Sequence, residues 1–169
     1  MMVRPVYRAQ ASGLRRLVRT GLLVGLSITG SLIKIPSLLG TPAMDSLPGY
    51  FAAAAFSVPE GAVVAALGHL ATAASAGFPL GLPVHLIVAG LMAGAAAIFG
   101  FVARGGRVVP AAVLAVAANG IAAPAALSLL PGFGAGFLVA VMPSLLLAAG
   151  VNVGLASLLY LGYRRKPWV

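Results

Sequence analysis

Charged side chains are almost confined to three short basic clusters, and this constrains the fold more than any other feature of the sequence. Only 8% of the 169 residues are charged, whereas about 25% is usual in soluble domains. The clusters hold ten of the eleven Lys and Arg: five before residue 20, two at 104–107 and three at 164–166. The apolar stretches between them are long enough for membrane helices, which need about 20 residues each. The sequence therefore predicts an all-α, polytopic membrane protein.

Turn signals divide the apolar sequence into six predicted membrane spans. Segments rich in proline and glycine separate them, as does the basic loop at 104–107. The predicted spans are residues 17–35, 46–56, 61–76, 84–103, 108–130 and 137–163. Six spans place both termini on one side, and the positive-inside rule makes that side the cytoplasm. Residues 1–169 are thus predicted to form one membrane domain, with a basic cytoplasmic segment at 1–16.

The segment 34–50, KIPSLLGTPAMDSLPGY, is polar and proline-rich between two apolar runs. Each of its three prolines lacks a backbone N–H donor and disfavours a continuous helix. The segment also contains Lys34, the one cation outside the clusters, and Asp45, one of only two acidic residues. Such a segment cannot lie against lipid, because its polar groups need partners. We expect residues 36–48 to form an outer lid over a binding site.

Polar residues within the spans are candidates for this site, because they are costly in lipid and tend to face a cavity or each other. Aromatic residues near the outer rim are candidates for stacking on a flat ring. Simpler roles exist for several of them: reaching the outer interface for Lys34, capping the second helix for Asp45, and bonding to neighbouring helices for both Asn. The predicted substrate-binding residues are Lys34, Asp45, Tyr50, Phe51, His69, Thr72, Phe78, His85, Asn119 and Asn152.

The sequence contains no pattern typical of an enzyme. It lacks G-x-S-x-G, H-E-x-x-H and P-loop motifs, and it has no pair of acidic residues that could act together. It has no Cys, and His69 and His85 lack carboxylates to complete a metal site, so neither a metal nor a cofactor is predicted. The basic clusters lie where topology signals belong, which argues against nucleic acid as a partner. Glu60 is expected only to stabilise the N-terminus of the third span.

Small residues recur at a spacing of four along the first span. Gly21, Gly25 and Thr29 therefore share one face of this helix. A stripe of small residues lets another helix approach closely. That helix belongs either to this chain or to a docking partner, and the sequence leaves both open.

Two runs resemble the substrate-binding S components of energy-coupling factor (ECF) vitamin importers: SLIKIPSLLGTPAMDSLPGYFAAAAF at 31–56 and PEGAVVAALGHLATAASAGFPLGLPVHL at 59–86. Within that family, DSLPGYF and GHL…GFPLGLPVHL look most like the α-ribazole transporters, which salvage a cobalamin precursor. The resemblance implies a six-helix protein of the prokaryotic cell membrane that binds a vitamin-like small molecule from outside. It also implies docking through the first helix onto a transmembrane T component that carries two ATPase subunits.

The sequence departs from the family at two places. The docking helix of these proteins bears Ala-x-x-x-Ala, whereas Gly21, Gly25 and Thr29 keep the small size without the alanines. Nickel and cobalt S components begin with a Met-His segment, whereas this chain begins MMVRP, which argues against a metal substrate. Three alternatives remain: an S component for riboflavin, thiamine or biotin; a self-sufficient secondary transporter coupled through His69; and a membrane scaffold without a ligand.

Overall fold

The computed structural model describes residues 4–35 and 42–165. Over these residues the fold is all-helical, as predicted, with six helices and no strand. The helices are α1 (Arg4–Gly30), α2 (Leu47–Ala55), α3 (Val58–Ser75), α4 (Leu82–Arg104), α5 (Val108–Ser128) and α6 (Gly134–Arg165). The predicted lid, 36–48, lies partly outside the described residues, which resume at Pro42.

The two ends of the lid segment are held together by backbone hydrogen bonds. Met44 N–H donates to Ile33 O at 3.1 Å, and Ile35 N–H donates to Pro42 O at 2.8 Å. Lys34 and Ala43 form the antiparallel bridge between these bonds. The first helix accordingly ends at Gly30, five residues before the predicted end of the span, because the chain here pairs with the far end of the lid.

Three of the six helices are long and apolar enough to cross a membrane: α4, α5 and α6. Their outward surfaces carry exposed apolar side chains, such as Phe101 of α4 at 77% and Val109 of α5 at 74% exposure, which suit contact with lipid. The helix α2 has nine residues, about 14 Å at 1.5 Å per residue, and is too short to span alone. The six-span topology and the orientation of the termini therefore stay predictions.

The short helix α2 lies at the centre of the bundle, where small residues allow close packing. A Cβ at Gly49 would lie 2.8 Å from the Cβ of Ala65 in α3. A Cβ at Gly100 of α4 would lie 2.6 Å from the Cβ of Ala53. Any larger residue at either glycine would push the helices apart. The close contacts at Gly49 and Gly100 therefore fix the position of α2 between α3 and α4.

A buried ion pair joins α1 to α3 at the end of the bundle opposite the lid. Arg19 donates from Nε and Nη2 to the two carboxylate oxygens of Glu60, at 2.7 and 2.6 Å. The Glu60 side chain is 1% exposed, and Arg16 approaches it at 3.8 Å. The Arg19 guanidinium also lies over the ring of Phe56, 3.9 Å from its centroid. Glu60 thus does more than stabilise a helix N-terminus, the role that the sequence suggested.

Candidate functional site

A cavity of about 150 Å³ lies between the described end of the lid, α3, α4, α5 and α6. Most of its wall is apolar, with contributions from all four helices. Its polar lining residues are Asp45, Ser46, His69, Thr72, His85 and Asn119. Mainly apolar walls with a few convergent polar groups are typical of sites for small molecules. Five of these six residues are among the ten predicted from the sequence, so half of the predicted set lines one cavity.

A wide turn in α5 brings Asn119 to the cavity. Residues Ala118–Ala122 form a π-helix, in which Ala123 N–H bonds to Ala118 O. Pro124 has no N–H, so the regular bond to Gly120 O cannot form there. The same turn packs Gly120 against Leu146 of α6, where a Cβ would lie 2.7 Å from Leu146 Cδ2. Such π turns are frequent at functional sites. Pro124 inside the predicted span was the sequence signal of this irregularity.

Asp45 lies at the cavity wall in the turn that precedes α2. Burial raises the pKa of its carboxyl to about 6, while its own backbone, the Thr72 hydroxyl and the Lys34 charge oppose the shift. Asp45 does not cap α2, because Ser46 holds the N-cap position and no side chain there bonds to the helix. Because Asp45 lines the cavity, its carboxylate can accept a hydrogen bond there.

Two buried hydroxyls beside Asp45 lack a hydrogen-bond partner. Thr72 Oγ1 lines the cavity and comes near the Asp45 carboxylate, but it does not reach hydrogen-bonding geometry with any described group. Tyr50 Oη is likewise unpartnered and lies close to Asn119 and Asp45. Buried polar atoms nearly always have partners in folded proteins. Of these two residues, Thr72 lines the cavity, so its hydroxyl is placed to bond to a polar group of a ligand.

The Tyr50 ring does not offer the stacking face that the sequence suggested. Tyr50 is 1% exposed, and its ring packs edge-on against Phe99 with centroids 5.7 Å apart. Its hydroxyl, rather than its ring, is therefore the group turned toward Asn119 and the polar side of the site.

His69 and His85 form a hydrogen-bonded pair at the cavity. His69 Nε2 and His85 Nδ1 are 3.2 Å apart, and Leu80 N–H donates to His85 Nε2 at 3.4 Å. Because His85 Nε2 accepts from Leu80, a neutral His85 carries its hydrogen on Nδ1, and this N–H donates a hydrogen bond to His69 Nε2. The pair thereby connects the turn between α3 and α4 to the middle of α3. Phe78, in the same turn, lies over His85 with ring centroids 5.7 Å apart.

Asn152 supports the site without lining it. Its Oδ1 accepts from Leu47 N–H at 2.9 Å, and its Nδ2 donates to Ala43 O at 3.0 Å and Ala148 O at 2.8 Å. The side chain is fully buried. It therefore fastens the described end of the lid and the start of α2 to α6, which corresponds to the helix-bonding role considered for it from the sequence.

Five of the ten predicted residues do not line the cavity: Lys34, Tyr50, Phe51, Phe78 and Asn152. Lys34 is exposed beside the lid and is not part of the lining. Phe51 packs edge-on with Phe56 and Tyr163, at centroid distances of 5.6 and 6.0 Å. That aromatic cluster adjoins Arg19 at the opposite end of the bundle. The sequence missed the apolar lining residues of α4 and α6, such as Met92 and Phe137, because nothing distinguishes them from other apolar residues of the spans.

The small-residue stripe lies on the outward face of α1. A Cβ at Gly21 or Gly25 would have no neighbour within 4 Å, and Thr29 is exposed, with its hydroxyl bonded to Gly25 O at 3.1 Å. The opposite face packs on α3, where Ser27 meets Gly68. Among the described residues, the stripe is therefore not used for packing within the chain.

Comparisons with known proteins bear on the fold. No protein-family model matches this chain, and no curated protein matches it. Among solved structures, the chain is similar to the S component of a bacterial ECF transporter, with a TM-score of 0.57 and 22% sequence identity. The match covers 90% of this chain and 95% of that chain. At this identity the likeness establishes a shared helical architecture.

Proposed function

We propose that this chain is the substrate-binding S component of an ECF-type importer. The observation that carries the proposal is a cavity with convergent polar groups, placed beside the predicted lid in a chain with the fold of an S component. Its role is to bind a vitamin or vitamin precursor from outside the cell. A T component and two ATPase subunits would then supply the energy for transport, since the chain itself carries no nucleotide motif.

The proposed setting is the cytoplasmic membrane of a prokaryote, with six spans and both termini inside. Exposed arginines end α4 and α6, at Arg104 and Arg165, and α1 carries Arg16 near the same end of the bundle. Arg104 Nη1 donates to the carbonyls of Ala54 and Phe56, which brings the end of α4 to the end of α2. This clustering of cations is what the positive-inside rule expects of a cytoplasmic face. The lid and the cavity would then face outward.

The proposed ligand is a small heteroaromatic molecule. A cavity of about 150 Å³ is comparable in volume to an engineered cavity that holds benzene, so it accommodates one small ring. Asp45, Thr72, Asn119 and the two His supply the polar contacts, with further groups of the ligand extending toward the lid. α-Ribazole, which joins a dimethylbenzimidazole to a ribose, is the specific ligand that the sequence resemblance favours.

The proposed docking surface is the stripe of Gly21, Gly25 and Thr29 on α1. Its outward orientation leaves backbone accessible over two helical turns, which permits close approach of a helix of the T component. The alternative of a self-sufficient secondary transporter would need coupling through the His69–His85 pair. No described intramembrane carboxylate pair supports such coupling.

Calorimetry with the purified chain tests the ligand. α-Ribazole, riboflavin, thiamine and biotin are titrated into wild type, His85→Ala and the exposed control Arg107→Ala. Removing a partner from a buried polar contact costs about 1–3 kcal/mol, so His85→Ala is expected to weaken binding roughly 5- to 150-fold while the control binds normally. Tight binding of another vitamin alone would replace α-ribazole as the ligand and keep the importer class. No binding of any vitamin, together with no co-purifying ATPase, would reject the class.

A further inference from the structure

Among the described residues, the cavity lining contains one carboxylate and no lysine or arginine. Asp45 is the acidic lining residue, and every other lining residue is apolar, hydroxylic, amide or imidazole. The salt bridges among the described residues all involve Glu60, so no described cation pairs with Asp45. The local charge at the cavity wall is therefore negative.

The nearest source of positive charge is outside the cavity. Lys34 influences Asp45 electrostatically, but its side chain is exposed and does not line the site. Residues 36–41 of the lid read PSLLGT and contain no charged side chain. The His69–His85 pair shares its hydrogen bond with both rings neutral, the ordinary state of imidazole above about pH 7.

The polar atoms around Asp45 also favour a ligand that donates hydrogen bonds. The carboxylate accepts only, and the Thr72 hydroxyl, which has no partner among the described residues, can accept as well as donate. An anionic group here would meet the Asp45 charge in a partly dehydrated place, where like charges repel more strongly than in water. A cationic or neutral N–H donor would instead form a charge-assisted hydrogen bond.

We propose that the cavity selects ligands by charge: it takes neutral or cationic planar nitrogen compounds that donate an N–H or O–H to Asp45, and it excludes carboxylates and phosphate esters. The proposal rests on the proposed function and narrows its substrate class. Among the vitamins considered, it favours an unphosphorylated nucleoside or thiamine and disfavours biotin, which carries a carboxylate. Thr72, which lines the cavity near the Asp45 carboxylate, holds the donor group against Asp45.

Three ring compounds of similar size test this selection. Benzamidine is a cation, benzimidazole is largely neutral and benzoate is an anion at pH 7.5, and each approaches the size of ring that the cavity holds. Their affinities for the full-length protein in detergent are measured by ligand-observed NMR. We expect benzamidine to bind at least about tenfold more tightly than benzoate, a modest part of the Coulomb difference between attraction and repulsion at close range.

Variants separate charge from hydrogen bonding. Asp45→Asn is expected to bring the benzamidine-to-benzoate ratio to within about threefold, whereas Lys34→Gln leaves the ratio above tenfold. Thr72→Val should weaken benzamidine and benzimidazole by about two- to tenfold, the effect of one lost hydrogen bond, without abolishing the preference for the cation.

Equal binding of benzoate and benzamidine to wild type would overturn the proposal, as would a ratio that Asp45→Asn leaves unchanged. The absence of binding by all three probes would also overturn it. The benzamidine-to-benzoate affinity ratio of the wild-type protein tests the proposal even if a variant does not fold. The proposed function is judged separately, by the vitamin titrations and by co-purification with ATPase subunits, so charge selection fails alone if a vitamin binds but the probe ratio is near one.

Discussion

The buried ion pair between Arg19 and Glu60 makes an asymmetric prediction about stability. The two side chains make the same pair of hydrogen bonds, but Glu60 is 1% exposed whereas the Arg19 side chain is 41% exposed. Losing Arg19 leaves a carboxylate inside the protein with the more distant Arg16 and the Thr20 hydroxyl, 3.5 Å from Glu60 Oε1, as its described neighbours. Losing the Glu60 charge leaves a guanidinium that reaches water. We therefore expect Arg19→Met to destabilise the protein more than Glu60→Gln.

The burial of the two groups sets the magnitudes. Breaking a buried pair so that one charge remains buried costs about 3–5 kcal/mol. Because Arg16 is 3.8 Å from Glu60 and can partly replace Arg19, we expect the lower end of that range for Arg19→Met. In Glu60→Gln the amide oxygen still accepts from Arg19, so only a charge-assisted hydrogen bond is lost, at about 1.5–3 kcal/mol. The double variant should cost less than Arg19→Met alone, since no charge is left buried.

Thermal stability in detergent measures the difference. Each variant is heated, and the fraction that remains monodisperse is followed by gel filtration. About 3 kcal/mol corresponds to a loss of roughly 6–12 °C for a chain of this length, and Glu60→Gln should lose less. Equal losses for the two single variants, or additive losses in the double variant, would refute the inference that the buried carboxylate is the costly partner.

Further substitutions test the site and the docking surface. Burial raises the pKa of the Asp45 carboxyl to about 6 from its usual value of 3.8, so its charge destabilises the empty protein increasingly as pH rises from about 4 to 6. Asp45→Asn should therefore stabilise the ligand-free protein at pH 7.5, by up to about 3 kcal/mol, and have little effect at pH 4; a stability loss at pH 7.5 would contradict this. Asn152→Ala removes three buried hydrogen bonds and should reduce both thermal stability and ligand affinity, whereas a loss of affinity with unchanged stability would assign it to direct ligand contact. Gly25→Leu should abolish coupled transport but preserve ligand binding, with the open helical position Gly90→Leu as the matched control; a loss of binding by Gly25→Leu alone would mean that the stripe supports the fold.

The sequence was sufficient for the helices and for much of the cavity. Periodic spacing determines which residues share a helix face. Because polar groups are costly in lipid, His69, Thr72 and His85 were expected to face a cavity, and all three line the same one. The proline-rich segment likewise placed Asp45 beside the same cavity. These predictions rest on local rules, which a single sequence contains.

The sequence was insufficient for contacts between distant helices. Arg19 and Glu60 are 41 positions apart. Nothing in the sequence around either residue indicates that α1 and α3 bring these two side chains into contact. Phe51 was predicted at the site because it lies, with Tyr50, just inside the second span near the outer rim, yet it packs against Tyr163 at the other end of the bundle. Neighbouring residues of a helix point about 100° apart, so which of two adjacent aromatics faces a site depends on how the helix is rotated in the bundle.

Uptake into sealed vesicles tests the central claim most directly. The chain is reconstituted alone, and separately with a T component and two ATPase subunits, and labelled α-ribazole or the vitamin identified by calorimetry is supplied outside. We predict that the chain alone binds the ligand without accumulating it, under any proton or sodium gradient, and that accumulation requires the complete complex and ATP. Concentrative uptake by the chain alone, driven by an ion gradient, would contradict the account and identify a secondary transporter.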